Sequence, residues 1–203
     1  MIAIINYGMG NVASVEKAIS HLGYKSVLTS DQEIIRNSSC IILPGVGAFA
    51  QGMANLNQLG LVDILNKEVL EHKKPFLGIC LGMQLIASKG YENAITDGLG
   101  WIQGEVRKIE GNGLSVPHLG WNNIKVTKSS VFDKFNDKDF YFIHSYYFDA
   151  LNPLDVSAIV NYGIDLPAII HKENIFATQF HPEKSQNSGL SLIKYFLDNY
   201  VKS

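Results

Sequence analysis

Strand and helix signals alternate through the first ninety residues, and that alternation confines the chain to folds built on a parallel sheet with right-handed crossovers. Residues 2–7 form a nearly continuous apolar run that stops at Gly8, as in a strand buried on both faces. Over residues 11–22, Val12, Val15, Ala18, Ile19 and Leu22 recur at three and four, which predicts an amphipathic helix. Residues 25–29 read as a second strand, with Ser30 and Asp31 placed to cap the next helix. Residues 40–43 read as a third strand, stopped by Pro44 and Gly45, and helical spacing returns over 49–59 and 61–72. Lys73, Lys74 and Pro75 break that run before a fourth strand at 76–79 and a helix over 81–88.

Beyond Tyr91 the pattern changes. Strand-like stretches at 101–109, 123–126, 140–148, 156–161, 168–171 and 175–180 follow one another without long helices between them, and a last helix spans 189–200. The predicted fold is α/β: an open, mostly parallel central sheet flanked by helices, with an antiparallel strand extension. The 203 residues contain no internal repeat, low-complexity tract or linker, so 1–203 reads as one domain.

Composition excludes several classes. Apolar residues make up 46% and charged residues 18%, which suits a buried core and not a disordered chain. The formal net charge is −2 and the basic residues are scattered, which argues against nucleic acid as a partner. No apolar run approaches the roughly 20 residues needed to cross a bilayer, and the first residues lack the features of a secretory signal. Cys40 and Cys80 stand in unrelated contexts and read as reduced thiols of a cytoplasmic protein.

The chemistry gathers at Cys80. Residues 76–84 run strand, sharp turn, helix, with Cys80 at the turn between Gly78 and Gly82, the plan of a nucleophile elbow. A helix N-terminus favours a thiolate, and the N–H of Leu81 points where an oxyanion would form. A cysteine at a strand end is also often a small buried hydrophobe, so the elbow needs a base. His181 ends the 175–180 strand, Pro182 turns the chain, and Glu183 is spaced to reach back to the imidazole, as in a nucleophile–base–carboxylate triad. Two glycines, Gly45 and Gly47, follow the third strand and suit either a tight turn or a second oxyanion donor. A competing signal is Gly8, Gly10 and Ala13 in G-x-G-x-x-A spacing, with Asp31 about 20 residues on, which is a dinucleotide-binding fingerprint.

Taken in order, residues 7–11, 44–49, 78–84, 98–101, 116–122, 142–146 and 179–185 resemble the class I, triad-type glutamine amidotransferases, and most nearly the glutaminases that serve imidazole glycerol phosphate synthase. The resemblance runs almost end to end. It implies that Cys80 attacks L-glutamine, His181 protonates the departing ammonia and Glu183 orients His181. It also implies oxyanion and substrate contacts from Gly45, Val46, Gly47, Leu81, Gln84, His144, Ser145 and Tyr146. Asn11, His118, Trp121 and Lys184 fall at or near the expected docking face for a HisF-like (β/α)8-barrel cyclase, in a heterodimer that needs neither metal nor cofactor. The same chemistry could serve a different synthase, in surface-sugar or vitamin B6 formation. Asn6 departs from the pattern, standing where many relatives carry an acidic residue.

Overall fold

Strand β1 (Ile2–Ile5) lies between β2 (Ser26–Thr29) and β3 (Cys40–Gly45), parallel to both. β4 (Phe76–Cys80) follows β3, and β13 (Ile175–Thr178) follows β4, again parallel. The computed structural model describes residues 1–111, 113–127 and 132–201. Within them the main sheet has nine strands, extended beyond β13 by β12 (Ile164–Lys172), β11 (Val156–Tyr162), β8 (His118–Val126) and β9 (Asp139–His144), all antiparallel to their neighbours. The sheet is thus parallel at one end and antiparallel at the other, as the two halves of the sequence predict.

The apolar runs are continuous because the parallel strands are covered on both faces. Ile2, Ile4, Cys40 and Ile42 pack with α1 (Val12–His21) and α6 (Gln186–Tyr200). Ala3, Ile5, Ile41 and Leu43 pack with α3 (Phe49–Gln58), α4 (Leu61–Asn66) and α5 (Leu81–Leu85). The period of two along each strand sends alternate side chains to the two cores. Asp31 caps α2 (Gln32–Asn37), its carboxylate accepting the Glu33 and Ile34 N–H groups at 2.8 and 3.2 Å.

Several boundaries differ from the predicted ones. The stretch 140–148 is two strands: β9 pairs with β8, while β10 (Tyr146–Ala150) pairs with β7 (Gly104–Lys108) in a separate sheet. The break falls at Ser145, whose carbonyl accepts the Ile109 N–H at 2.9 Å. Alternation of side chains continues on both sides of that residue, so the change of sheet is silent in the sequence. This second sheet is completed by β5 (Lys89–Gly90) and β6 (Thr96–Asp97). Trp101 and Ile102 are buried but precede β7, because Trp101 packs edge-on against Phe76 and donates its indole N–H to Asn66 Oδ1 at 2.7 Å. The helix read over 81–88 stops at Leu85, and that over 61–72 passes into a single π turn, Lys67–Glu71. That turn carries Glu68, whose buried carboxylate meets Lys74 Nζ at 2.8 Å. Among the described residues, no helix is long and apolar enough to cross a membrane.

Candidate active site

Cys80 is the last residue of β4 and directly precedes α5. Its φ of 54° and ψ of −104° are an uncommon conformation for a residue with a side chain, of the kind that costs about 1–3 kcal/mol and persists only where the surroundings enforce it. Here they do. A Cβ on Gly82 would lie 1.8 Å from the Leu43 carbonyl oxygen, so only glycine lets α5 turn away that close to β3. The turn leaves the sulfur at the carboxyl edge of the parallel strands, where ligands of open α/β sheets bind.

β13 runs beside β4, Thr178 opposite Ile79, so the residues after it arrive at the same edge. The His181 N–H donates to the Tyr141 carbonyl at 2.9 Å, and Ser185 Oγ donates to the His181 carbonyl at 2.6 Å. Pro182–Lys184 forms one 3-10 turn that brings Glu183 Oε1 to 2.8 Å from His181 Nδ1, with both side chains buried. Burial opposes a charge on this ring, but its neighbours Cys80 and then Glu183 outweigh it and raise its pKa to about 10, which favours the imidazolium at neutral pH. Nε2, the nitrogen left over, makes no hydrogen bond of ordinary geometry. Among the described residues, Glu183 Oε2 and the Tyr7 hydroxyl are likewise buried without a hydrogen-bond partner. The Tyr7 phenol is pushed up by burial first and by Cys80 second.

The thiol opens into a pocket of about 540 Å³ lined by Val46, Gly47, Leu81, Gln84, His144, Ser145, Tyr146 and Lys184, together with Ala48, Glu92, Pro117 and Ile143. Gly45 does not line it but is the β3 residue opposite Cys80. A larger cleft, about 770 Å³ over β7, holds none of the candidate catalytic, substrate or docking residues. Val46, Leu119, Trp121 and Ile143 are exposed near the mouth or on the β8–β9 pair beside it, with Leu119 58% and Trp121 49% accessible. Asn11, exposed, ends the turn before α1. His118 is buried behind His144. The close approach that Gly10 allows is occupied by Gly45, whose Cα and N lie 3.2 and 3.3 Å from where a Cβ would be. In this fold the glycine fingerprint therefore packs the first turn against β3.

The model of the family described as glutamine amidotransferase class-I matches residues 3–199. The chain belongs to the class-I glutamine amidotransferases. It is 48% identical to imidazole glycerol phosphate synthase subunit HisH 2 of Vibrio vulnificus over 97% of this chain and 94% of that one. It is 45% identical to imidazole glycerol phosphate synthase subunit HisH of Caldanaerobacter subterraneus, with 97% of each covered. A crystal structure of a glutamine amidotransferase superposes with a TM-score of 0.77 at 21% identity, covering 98% of both chains. The glutaminase domain of Trypanosoma brucei CTPS, with bound acivicin, superposes with a TM-score of 0.65 at 16% identity, covering 97% of this chain and 93% of that one.

Within this amidotransferase, four groups to which the sequence assigns no role stand at the site. Gln179, fully buried, sends its amide nitrogen to Cys80 Sγ at 3.8 Å. The Ile143 carbonyl accepts from the thiol at 3.8 Å. Glu92 lines the pocket and accepts the Phe49 N–H at 2.7 Å. The fourth is Tyr7. Tyr7 and Gln179 follow β1 and β13 to the sheet edge and the Ile143 carbonyl belongs to β9, while Glu92 comes from the loop between β5 and β6. His144 differs in kind from a free substrate ligand: Nδ1 meets the Tyr146 carbonyl at 2.9 Å and Nε2 meets His118 Nδ1 at 3.0 Å, so both ring nitrogens are engaged.

Proposed function

We propose that this amidotransferase hydrolyses L-glutamine to glutamate and ammonia, with Cys80 as nucleophile, His181 as acid and base, and Glu183 as the carboxylate that orients His181. One observation carries the reading: adjacent strands deliver to one sheet edge a thiol on a strained elbow and an imidazole whose far nitrogen is held at 2.8 Å by a buried carboxylate. Sγ attacks the side-chain amide carbon, and the oxyanion is received by the Leu81 N–H, a first-turn donor without an intrahelical acceptor, and by the Gly45–Gly47 turn. His181 Nε2–H protonates the amide nitrogen and ammonia leaves. The γ-glutamyl thioester is then attacked by water, whose proton returns to His181, and glutamate is released. Glu92 and Lys184, opposite charges on the pocket wall, suit the α-ammonium and α-carboxylate of the amino acid.

Ammonia set free in water at neutral pH becomes ammonium and loses its lone pair, so the product needs a sheltered acceptor. The exposed apolar side chains of Val46, Leu119, Trp121 and Ile143 beside the pocket mouth suit a docking face. The similarity to imidazole glycerol phosphate synthase subunits supports a HisF-type (β/α)8-barrel cyclase as the partner and histidine biosynthesis as the pathway. We place the reaction in the cytoplasm, where Cys40 and Cys80, both free, stay reduced. The test is the Cys80→Ala variant reconstituted with that cyclase. Glutamine-dependent synthesis should vanish while ammonia-dependent synthesis survives. Continued glutamine turnover would exclude Cys80 as nucleophile.

A further inference from the structure

The directions of the hydrogen bonds behind the pocket are fixed by groups that have no choice. A backbone carbonyl only accepts, so the Tyr146 carbonyl requires His144 to present Nδ1–H to it at 2.9 Å and Gln84 to present its NH2 at 2.9 Å. Burial holds the pKa of His144 down at about 3 and that of His118 at about 4, so both rings are neutral at pH 7. The Nε2 of His144 is therefore an acceptor, and His118 must donate to it from Nδ1 at 3.0 Å. That leaves His118 Nε2 to accept from the Asn122 NH2 at 3.4 Å. The Asn122 amide is itself oriented by two backbone groups, donating to the Asn161 carbonyl at 3.1 Å and accepting the Asn123 N–H at 2.9 Å.

The other arm leads to the sulfur. The Gln84 NH2 also donates to Gln179 Oε1 at 3.2 Å. With its oxygen used there, Gln179 has only its NH2 to offer the Cys80 sulfur, 3.8 Å away. The two arms converge on one carbonyl, Tyr146, which accepts from both His144 and Gln84 and so ties the β8 arm to the arm that reaches the nucleophile. Gln179 and Gln84 are buried, and His118 is stacked between Phe142 and Tyr162 at centroid distances of 4.7 and 4.1 Å, so neither end swings freely.

We propose that Gln179 is a further catalytic group of this site, its amide N–H stabilising the Cys80 thiolate as it forms and departs, and that Gln84, His144 and His118 are positioning residues that hold that amide in its donating orientation. An N–H donor loses its interaction each time the sulfur becomes a thioester and regains it on deacylation, so it acts on both steps. The chain begins on β8, whose outward residues Leu119 and Trp121 lie on the proposed docking face while His118 points inward. The inference rests on Cys80 being the nucleophile.

The experiment measures the rate at which iodoacetamide modifies the Cys80 peptide at pH 7, read by mass spectrometry, alongside kcat and KM for glutamine in the reconstituted complex. Cys40, fully buried, serves as the internal control. Gln179→Met keeps the volume but removes the donor; alkylation and kcat should each fall about tenfold, the scale of a lost hydrogen bond to a charge, with KM changed less than about twofold. His118→Asn keeps an N–H where Nδ1 stood, and should stay within about threefold of the parent. His118→Leu should lose more than His118→Asn in both readouts. Unchanged alkylation in Gln179→Met, or equal losses in the two His118 variants, would overturn the proposal. Should Gln179→Met not fold, the His118 pair alone decides it. Because alkylation reads the thiol and not hydrolysis, these outcomes are separate from the Cys80→Ala test of the reaction.

Discussion

Two groups of buried polar side chains lie within reach of Cys80, and they are built on opposite plans. Around His118, His144, Gln84 and Gln179 the side-chain nitrogens and the Gln179 amide oxygen are matched, with the Tyr146 carbonyl fixing the direction of the His144 and Gln84 donors. Around His181, Glu183 and Tyr7, among the described residues, three buried atoms make no hydrogen bond of ordinary geometry: Nε2, which faces Cys80, Oε2 and the phenol oxygen. A buried polar atom without a partner ordinarily costs about 1–3 kcal/mol, so natural structures seldom keep one without a use. That all three cluster at the elbow separates a frame, which is satisfied at rest, from a reacting edge, whose groups find partners as the chemistry proceeds. The pKa directions agree. Burial keeps the frame histidines neutral, whereas Cys80 and Glu183 outweigh burial at His181 and favour its protonated form.

The sharpest way to break the comparison is at Glu183. Glu183→Gln keeps the shape but takes away the charge that orients and sustains the imidazolium, and glutamine turnover in the complex should fall about 10³–10⁴-fold; a loss under tenfold would place Glu183 with the frame. A second contrast is in pH. The unfolded chain protonates His118 and His144 near pH 6.5, while the folded rings resist until about 4 and about 3. Unfolding therefore takes up protons in that window, and stability should fall as pH drops from about 6.5 to about 4, at most by about 2.7 kcal/mol per pH unit for two rings. His181, raised to about 10, stays protonated in the folded state, so it opposes this fall near pH 6.5 and adds no slope below about pH 5.5, where the unfolded ring is protonated too. Thermal melts should show a shallower dependence in His118→Asn; an identical slope would mean the pair is not what titrates. The smallest effect concerns Tyr7. Replacing an unpaired buried hydroxyl by hydrogen in Tyr7→Phe should raise stability by about 1 kcal/mol, a Tm gain of about 2–4 °C; a lower Tm would show that the hydroxyl is paired in the resting protein.

Much of this arrangement is legible in the sequence because it is local. The strand–turn–helix of residues 76–84 is written in consecutive residues, with Gly82 fixed by the approach of Leu43, and Pro182 brings Glu183 back to His181 within three residues. The alternation of the first ninety residues gives the parallel sheet, and with it the edge where β4 and β13 deliver their ends. What is not legible depends on register between distant strands. His118 and His144 read separately as a docking residue and a substrate contact, yet they are opposite one another in the β8–β9 pair and share one hydrogen bond. Gln179 carries no signal of its own, since its amide finds the sulfur only because β13 lies beside β4. Ser145 hides a change of sheet within an unbroken alternation.

Labelling of the nucleophile by a chloroketone analogue of glutamine tests the centre of this account most directly. The account predicts stoichiometric inactivation, prevented by glutamine, with the label on Cys80 in the digested protein and a much slower reaction when Glu183 is Gln. Inactivated protein with an unmodified Cys80 and the label elsewhere would contradict it.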